Sequence, residues 1–158
     1  MVTTLRRLDE NLAAPSPSTV LDSDRADHFV RRDGAVYAGT HLIVEVIGGV
    51  GLDNPNRIER ALRACVHACN ATLLHLYLHR FQPQGVSGVA VLAESHISVH
   101  TWPEIGYGAF DVFMCGDAEP WRATDILREA FNADDVKVET FRRGEGIVEA
   151  ALEANIQE

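Results

Sequence analysis

The stretch VSGVAVLAESHISVHTWPEIGYGAFDVFMCG, residues 86–116, decides the fold. It is rich in Val, Ile, Phe and small residues, and it has no helical period. VSGVAVLAES and HISVHTW read either as one long β segment or as two strands meeting at the Glu94–Ser95 bond. GAFDVFMCG reads as a further strand, with Ala109, Asp111, Phe113 and Cys115 pointing one way at period two. The connections inside the stretch are of hairpin length, so neighbouring strands should run antiparallel.

Working outward, HLIVEVIGGV is an apolar strand ended by Gly48 and Gly49. NPNRIERALRACVHACNAT follows as a helix, with Asn54 as its cap and Pro55 at the first helical position. Ile58, Leu62, Cys65, Val66 and Cys69 make its apolar face. TLLHLYLHRF is a strand in which Leu74, Leu76 and Leu78 alternate with His75, Tyr77 and His79, and QPQG breaks it. On the other side, PWRATDILREAF is a second amphipathic helix and DVKVETFRRG a closing strand. The order predicts an α+β fold: a two-layer sandwich of a mainly antiparallel sheet with two helices on one face. The uncovered face would need a partner, and a homodimer supplies one.

Three segments are expected. Residues 1–35, containing AAPSPSTVLDSDRAD, form a flexible extension without a sustained apolar period, although Leu5, Leu8 and Leu12 could line a short helix. Residues 36–144 are the folded domain, and residues 145–158 are a tail able to form a frayed helix. With 158 residues the chain is long enough for one real core. A net charge of −9 argues against a phosphate-tracking nucleic-acid binder and against an anionic membrane surface. No apolar run is long enough to span a bilayer, and the first twenty residues lack a secretory core. Three cysteines, an odd and low count, fit a reducing cytoplasm better than a disulfide scaffold.

Three motifs, HRFQPQGVSG, AESHISVHTWPE and DVFMCGD, stand together with GTHLIVEV and the helix after it. In this order the chain resembles the bacterial S-adenosylmethionine decarboxylase family from about Gly39 to Gly144. The resemblance implies a proenzyme cut between Glu94 and Ser95, giving fragments 1–94 and 95–158. The chemistry is readable at the bond itself. A serine hydroxyl can attack the preceding carbonyl and move the acyl group from nitrogen to oxygen. β-Elimination of the ester then leaves a dehydroalanine that hydrolyses to a pyruvoyl group. A pyruvoyl ketone forms a Schiff base with an amino acid and accepts the electrons left by departing carbon dioxide. A lone Glu-Ser pair would be an ordinary strand feature; the surrounding match changes the reading.

The other roles follow from the resemblance, residue by residue. It implies His100 as the group assisting elimination, Ser87 as support for the processing intermediate, and Cys115 as the acid that protonates the decarboxylated carbon. Singly, His100 reads as a half-exposed strand histidine and Cys115 as a core thiol. Phe81 resembles the aromatic that stacks on adenine, and Glu104 the carboxylate that accepts from a ribose diol. Ser95 and His100 are five apart, so a flat strand would put them on opposite faces, and a bulge or reorientation of the cut end is expected. His75 and Tyr77 stand where smaller polar residues are expected in many relatives.

Rival readings are a pyruvoyl-dependent arginine or ornithine decarboxylase of the same family, and an inactive regulatory homologue. The retained Ser95, His100 and Cys115 speak against the second. No metal is expected. His96, His100 and Cys115, or Cys65 with Cys69, are conceivable ligands, but the chain has no CxxC pair and no HExxH motif.

Overall fold

The computed structural model describes residues 28–156. A short hairpin of β1 (Val30–Arg32) and β2 (Ala35–Tyr37) leads into β3 (Gly39–Ile47). Then come α1 (Pro55–Ala68), β4 (Leu73–Arg80), β5 (Val86–Leu92), β6 (Ser95–Trp102), β7 (Tyr107–Met114), α2 (Ala123–Phe131), β8 (Asp135–Arg143) and α3 (Ile147–Ile156). Six strands form one sheet in the order β4-β5-β6-β7-β3-β8, and every neighbouring pair is antiparallel. This is the expected α+β sandwich.

One face of the sheet carries Leu42, Val44 and Val46 of β3, Ile97 and Val99 of β6, and Phe110, Val112 and Met114 of β7, all buried. The helices cover this face. Ile58, Leu62, Cys65 and Val66 of the first helix, with Cys69 at its C-terminal cap, join the same core as Leu127 and Phe131 of the second. Each fully buried Leu or Ile contributes about 1.5–3 kcal/mol. Asn54 caps α1 as its sequence suggests, its side chain accepting from the Arg57 N–H at 3.2 Å; such a cap is worth about 1 kcal/mol. The Phe110 and Phe131 rings meet at 5.7 Å between centroids and tie β7 to α2.

The opposite face is bare among the described residues. Tyr77, Val91, Trp102 and Phe141 are exposed there. Between them lies a polar line: Ser98 donates to Asp111 at 2.8 Å, Asp111 faces His41 at 3.2 Å, and His41 meets the Arg143 guanidinium at 3.1 Å.

Several expectations change in detail. The long β segment is two strands, β5 and β6, folded on each other through the turn at Ala93 and Glu94. Leu74 does not alternate inward with Leu76 and Leu78. A register shift between Leu73 and His75 turns it out, 57% exposed, and Leu73 packs on the core instead. Cys115 does not continue the β7 alternation as a strand residue, because that strand ends at Met114.

The expected extension 1–35 lies largely outside the described residues. Its last part, with Tyr37, forms the β1–β2 hairpin. The tail contains α3, which meets this hairpin. The Val36 N–H donates to Glu149 at 3.1 Å, and Val148 is buried. No helix among the described residues is long and apolar enough to cross a membrane.

Candidate active site

The antiparallel register fixes where each candidate residue falls. At one end of the sheet, Ser95 pairs with Leu92 and with Met114. Glu94 is held on both of its oxygen-bearing groups. Its backbone carbonyl accepts from the Cys115 N–H at 2.9 Å, and its carboxylate accepts from the Thr72 N–H at 2.8 Å. The Ala93 N–H closes the turn onto the Thr72 carbonyl at 3.0 Å. Ser95 itself has φ +137°, a region that side chains other than glycine rarely adopt. Strain of this kind costs roughly 1–3 kcal/mol and persists only where surrounding bonds enforce it. The Ser95 side chain interacts with the Cys115 thiol. Burial pushes that thiol above its ordinary range, Ser95 acts the other way, and the Glu94 carboxylate adds a smaller upward push.

Farther along β5 and β6, on the bare face, Ser87 and His100 are direct cross-strand partners. The Ser87 hydroxyl lies 2.6 Å from His100 Nδ1. Val86, next to Ser87, is anchored by the buried Thr101 hydroxyl, which accepts from its N–H at 2.8 Å and donates to its carbonyl at 3.2 Å.

The far end of the sheet holds the remaining pair. Phe81, 46% exposed, follows β4 and stands edge-on to His79 at 4.7 Å. Glu104 sits in the short 3-10 turn after β6, and Gln84 donates to its carboxylate at 3.1 Å. Gly106, at φ +64°, ends this turn in a left-handed conformation that leads the chain into β7.

Three clusters result, and one chain does not bring them together. No bulge interrupts β6 between Ser95 and His100. The two therefore keep opposite parity and lie about 17 Å apart along the strand at ~3.3 Å per residue. By the same rise, Trp102 and the Glu104 turn are roughly 23 Å or more from Ser95. The expected bulge is absent because both ladders of this central strand are fully paired.

Sequence reading missed the Thr72 contact, because a backbone N–H carries no residue signature. It also missed Asp53, which binds both ends of the Phe81 loop. Asp53 precedes an Asn-Pro helix cap and looks like a plain turn residue.

Cys65 and Cys69 are core thiols facing the Ala123 and Pro120 carbonyls. Burial drives Cys65 far above the ordinary thiol range and Cys69 up to about 11. Among the described residues no group of three or more His, Cys, Asp or Glu is arranged to hold a metal ion.

The S-adenosylmethionine decarboxylase family model matches residues 40–144, from β3 to the end of β8. The S-adenosylmethionine decarboxylase proenzyme of Methanococcus vannielii is 46% identical over 117 residues, 72% of this chain and 96% of that protein. That of Thermomicrobium roseum is 46% identical over 108 residues, 67% of this chain and 93% of that protein. The crystal structure of the adenosylmethionine decarboxylase from Aquifex aeolicus superposes with a TM-score of 0.62 at 34% identity, covering 68% of this chain and 92% of that one. The match takes in the whole six-stranded sheet and both helices packed on it, and it nearly fills the length of its relatives: the chain belongs to the S-adenosylmethionine decarboxylase family.

Proposed function

We propose that this chain is a self-processing S-adenosylmethionine decarboxylase that makes its pyruvoyl group from Ser95 and works as a homodimer with sites shared between the two copies. The observation that carries the reading is the scissile turn. The Glu94 carbonyl carbon is the electrophile for the Ser95 hydroxyl, and its oxygen already accepts from the Cys115 N–H at 2.9 Å. Attack forms the C–O bond and breaks the C–N bond, and the hydroxyl proton ends on the freed Ser95 nitrogen. Negative charge develops on the Glu94 oxygen, where a fixed donor lowers the barrier most. The strain at Ser95 is released when the peptide bond opens. Elimination then needs a base for the Ser95 α-proton, and an imidazole oriented by a hydroxyl, as His100 is by Ser87, suits that transfer.

These residues fit the group the family implies, since Ser95 stands where the chain must open and next to a thiol. When present, the pyruvoyl carbonyl supplies an electron sink for decarboxylation. The Cys115 thiol, kept protonated by burial, is a ready proton donor for the α-carbon. Phe81 offers a face for an adenine ring, and Glu104, fixed by Gln84, offers a carboxylate for a ribose diol.

Separation inside one chain supports the homodimer. A distance of about 17 Å along the strand is too great for His100 to serve its own Ser95, and the spacing to Phe81 exceeds any reach of one substrate. A second copy stacked on the bare face, over Tyr77, Val91, Trp102 and Phe141, would cover that apolar surface and bring the partner's clusters to this chain's scissile end. The product is the aminopropyl donor of spermidine synthesis, made in the cytoplasm.

Arginine or ornithine as substrate is the competing reading. Neither has a base for Phe81 to stack on. The deciding experiment is decarboxylation of S-adenosylmethionine, arginine and ornithine assayed side by side, with Ser95→Ala as the blank. S-adenosylmethionine should be turned over and Ser95→Ala should be inert. Preferred turnover of arginine or ornithine would replace the substrate reading.

A further inference from the structure

We infer that Asp53 is a positioning residue for substrate recognition: it clamps both ends of the loop that carries Phe81, and so sets KM without taking part in self-cleavage. The inference rests on Phe81 and Glu104 being the recognition residues. Asp53 belongs to the connection between β3 and α1, far along the chain from the loop it holds. One carboxylate oxygen accepts from the Gly85 N–H at 2.7 Å. The other meets the Arg80 guanidinium at 2.5 Å, and the Asp53 backbone carbonyl accepts a longer bond from Arg80 Nε at 3.4 Å. Arg80 immediately precedes Phe81, and Gly85 closes the loop, its carbonyl accepting from the Phe81 N–H at 2.8 Å. A single side chain therefore fixes the entry and the exit of the five-residue turn FQPQG. Gly85 suits the exit because its φ is +99° and the Thr101 carbonyl lies 3.1 Å from where a Cβ would stand.

The same loop carries Gln84, which donates to Glu104. Asp53 thus supports both the aromatic and the carboxylate of the recognition end. The Gly85 N–H and then the Arg80 pairing hold its carboxyl below the ordinary carboxylate range, so it is ionised throughout neutral pH. Charge-assisted bonds of this geometry are the stronger class of hydrogen bond. The clamp stops at Gly85. From Val86 onward the strand is held independently by the Thr101 hydroxyl, which separates the loop from the Ser87–His100 pair.

The test compares Asp53→Ala, Asp53→Asn and Phe81→Ala, each purified and assayed for self-cleavage rate and for kcat and KM with S-adenosylmethionine. Asp53→Ala should raise KM about tenfold, with kcat and cleavage within roughly twofold of wild type. Asp53→Asn should fall between, because its amide oxygen still accepts from Gly85. Phe81→Ala should also raise KM. If Phe81→Ala raises KM while both Asp53 variants leave it unchanged, the clamp is refuted and the recognition reading survives. If Phe81→Ala has no effect on KM, the recognition reading fails and the inference goes with it. Should Asp53→Ala not fold, Asp53→Asn decides; parallel losses in cleavage, kcat and KM would make Asp53 a structural residue and overturn the proposal.

Discussion

At one end of the sheet, Ser95 sits in a strained turn pinned by Thr72 and Cys115; at the other, Phe81 and Glu104 stand in loops held by Asp53 and Gln84. The first end concentrates backbone strain and fixed hydrogen-bond donors around one peptide bond. The second presents an exposed aromatic and a carboxylate in loops held by hydrogen bonds and by the Asp53–Arg80 ion pair. In the proposed dimer each is half of a site. The six-stranded sheet that connects them also keeps them more than a substrate's length apart, so the difference points to assembly between two copies.

The largest effect comes from breaking that division directly. His100→Ala dimers should stay uncut. Co-expressed with a Ser95→Ala chain, which cannot cut itself but carries an intact His100, the His100→Ala chain should be cleaved in mixed dimers. A gel that resolves the two chains by a tag reads the outcome. If the His100→Ala chain stays whole in the mixture, the two ends belong to one chain's site and the separation has been misread.

Cys115→Ser sharpens the scissile end. Its backbone N–H is unchanged, so cleavage should continue, while turnover drops on the order of a hundredfold because a hydroxyl is a weak acid. In the uncut chain burial raises the thiol pKa against the opposing Ser95 hydroxyl, and cleavage removes that hydroxyl, so the upward direction carries over to the processed enzyme. An acid works only while protonated, so wild-type kcat should hold through neutral pH and fall as pH rises through a thiol pKa above its ordinary 9.0. The variant should lack that limb. A kcat–pH profile of both proteins checks it; a wild-type limb well below the ordinary thiol range would remove Cys115 from the role.

A smaller effect is expected at Glu94. Glu94→Ala frees the turn from the Thr72 N–H and should slow cleavage about tenfold, a scale set by losing one charge-assisted bond. Glu94→Gln keeps an acceptor and should recover most of the rate. Equal slowing in both variants would show that the charge, and not the clamp, matters.

Much of the fold was legible in the sequence because its signals are local. Asn54 and Pro55 announce the start of α1, the apolar face of Ile58, Leu62 and Cys65 buries as its spacing requires, and the hairpin-length connections give the antiparallel run β4-β5-β6-β7, whereas the place of β3 between β7 and β8 has no local signal. Leu74 breaks the expected alternation because a bulge that only pairing with β5 creates turns it outward. The site was legible as residue types and not as geometry. The motifs single out Ser95, His100, Cys115, Ser87, Phe81 and Glu104, but only the register reveals that they occupy different ends and faces. The Thr72 and Asp53 contacts depend on backbone N–H groups, which every sequence position carries alike.

Opening of the chain between Glu94 and Ser95 can be read from the intact mass of the purified protein. Two fragments are expected, residues 1–94 with an ordinary carboxyl end and residues 95–158 with a pyruvoyl group in place of Ser95, while Ser95→Ala should give one uncut chain. A preparation that decarboxylates S-adenosylmethionine yet shows only the uncut mass would contradict it.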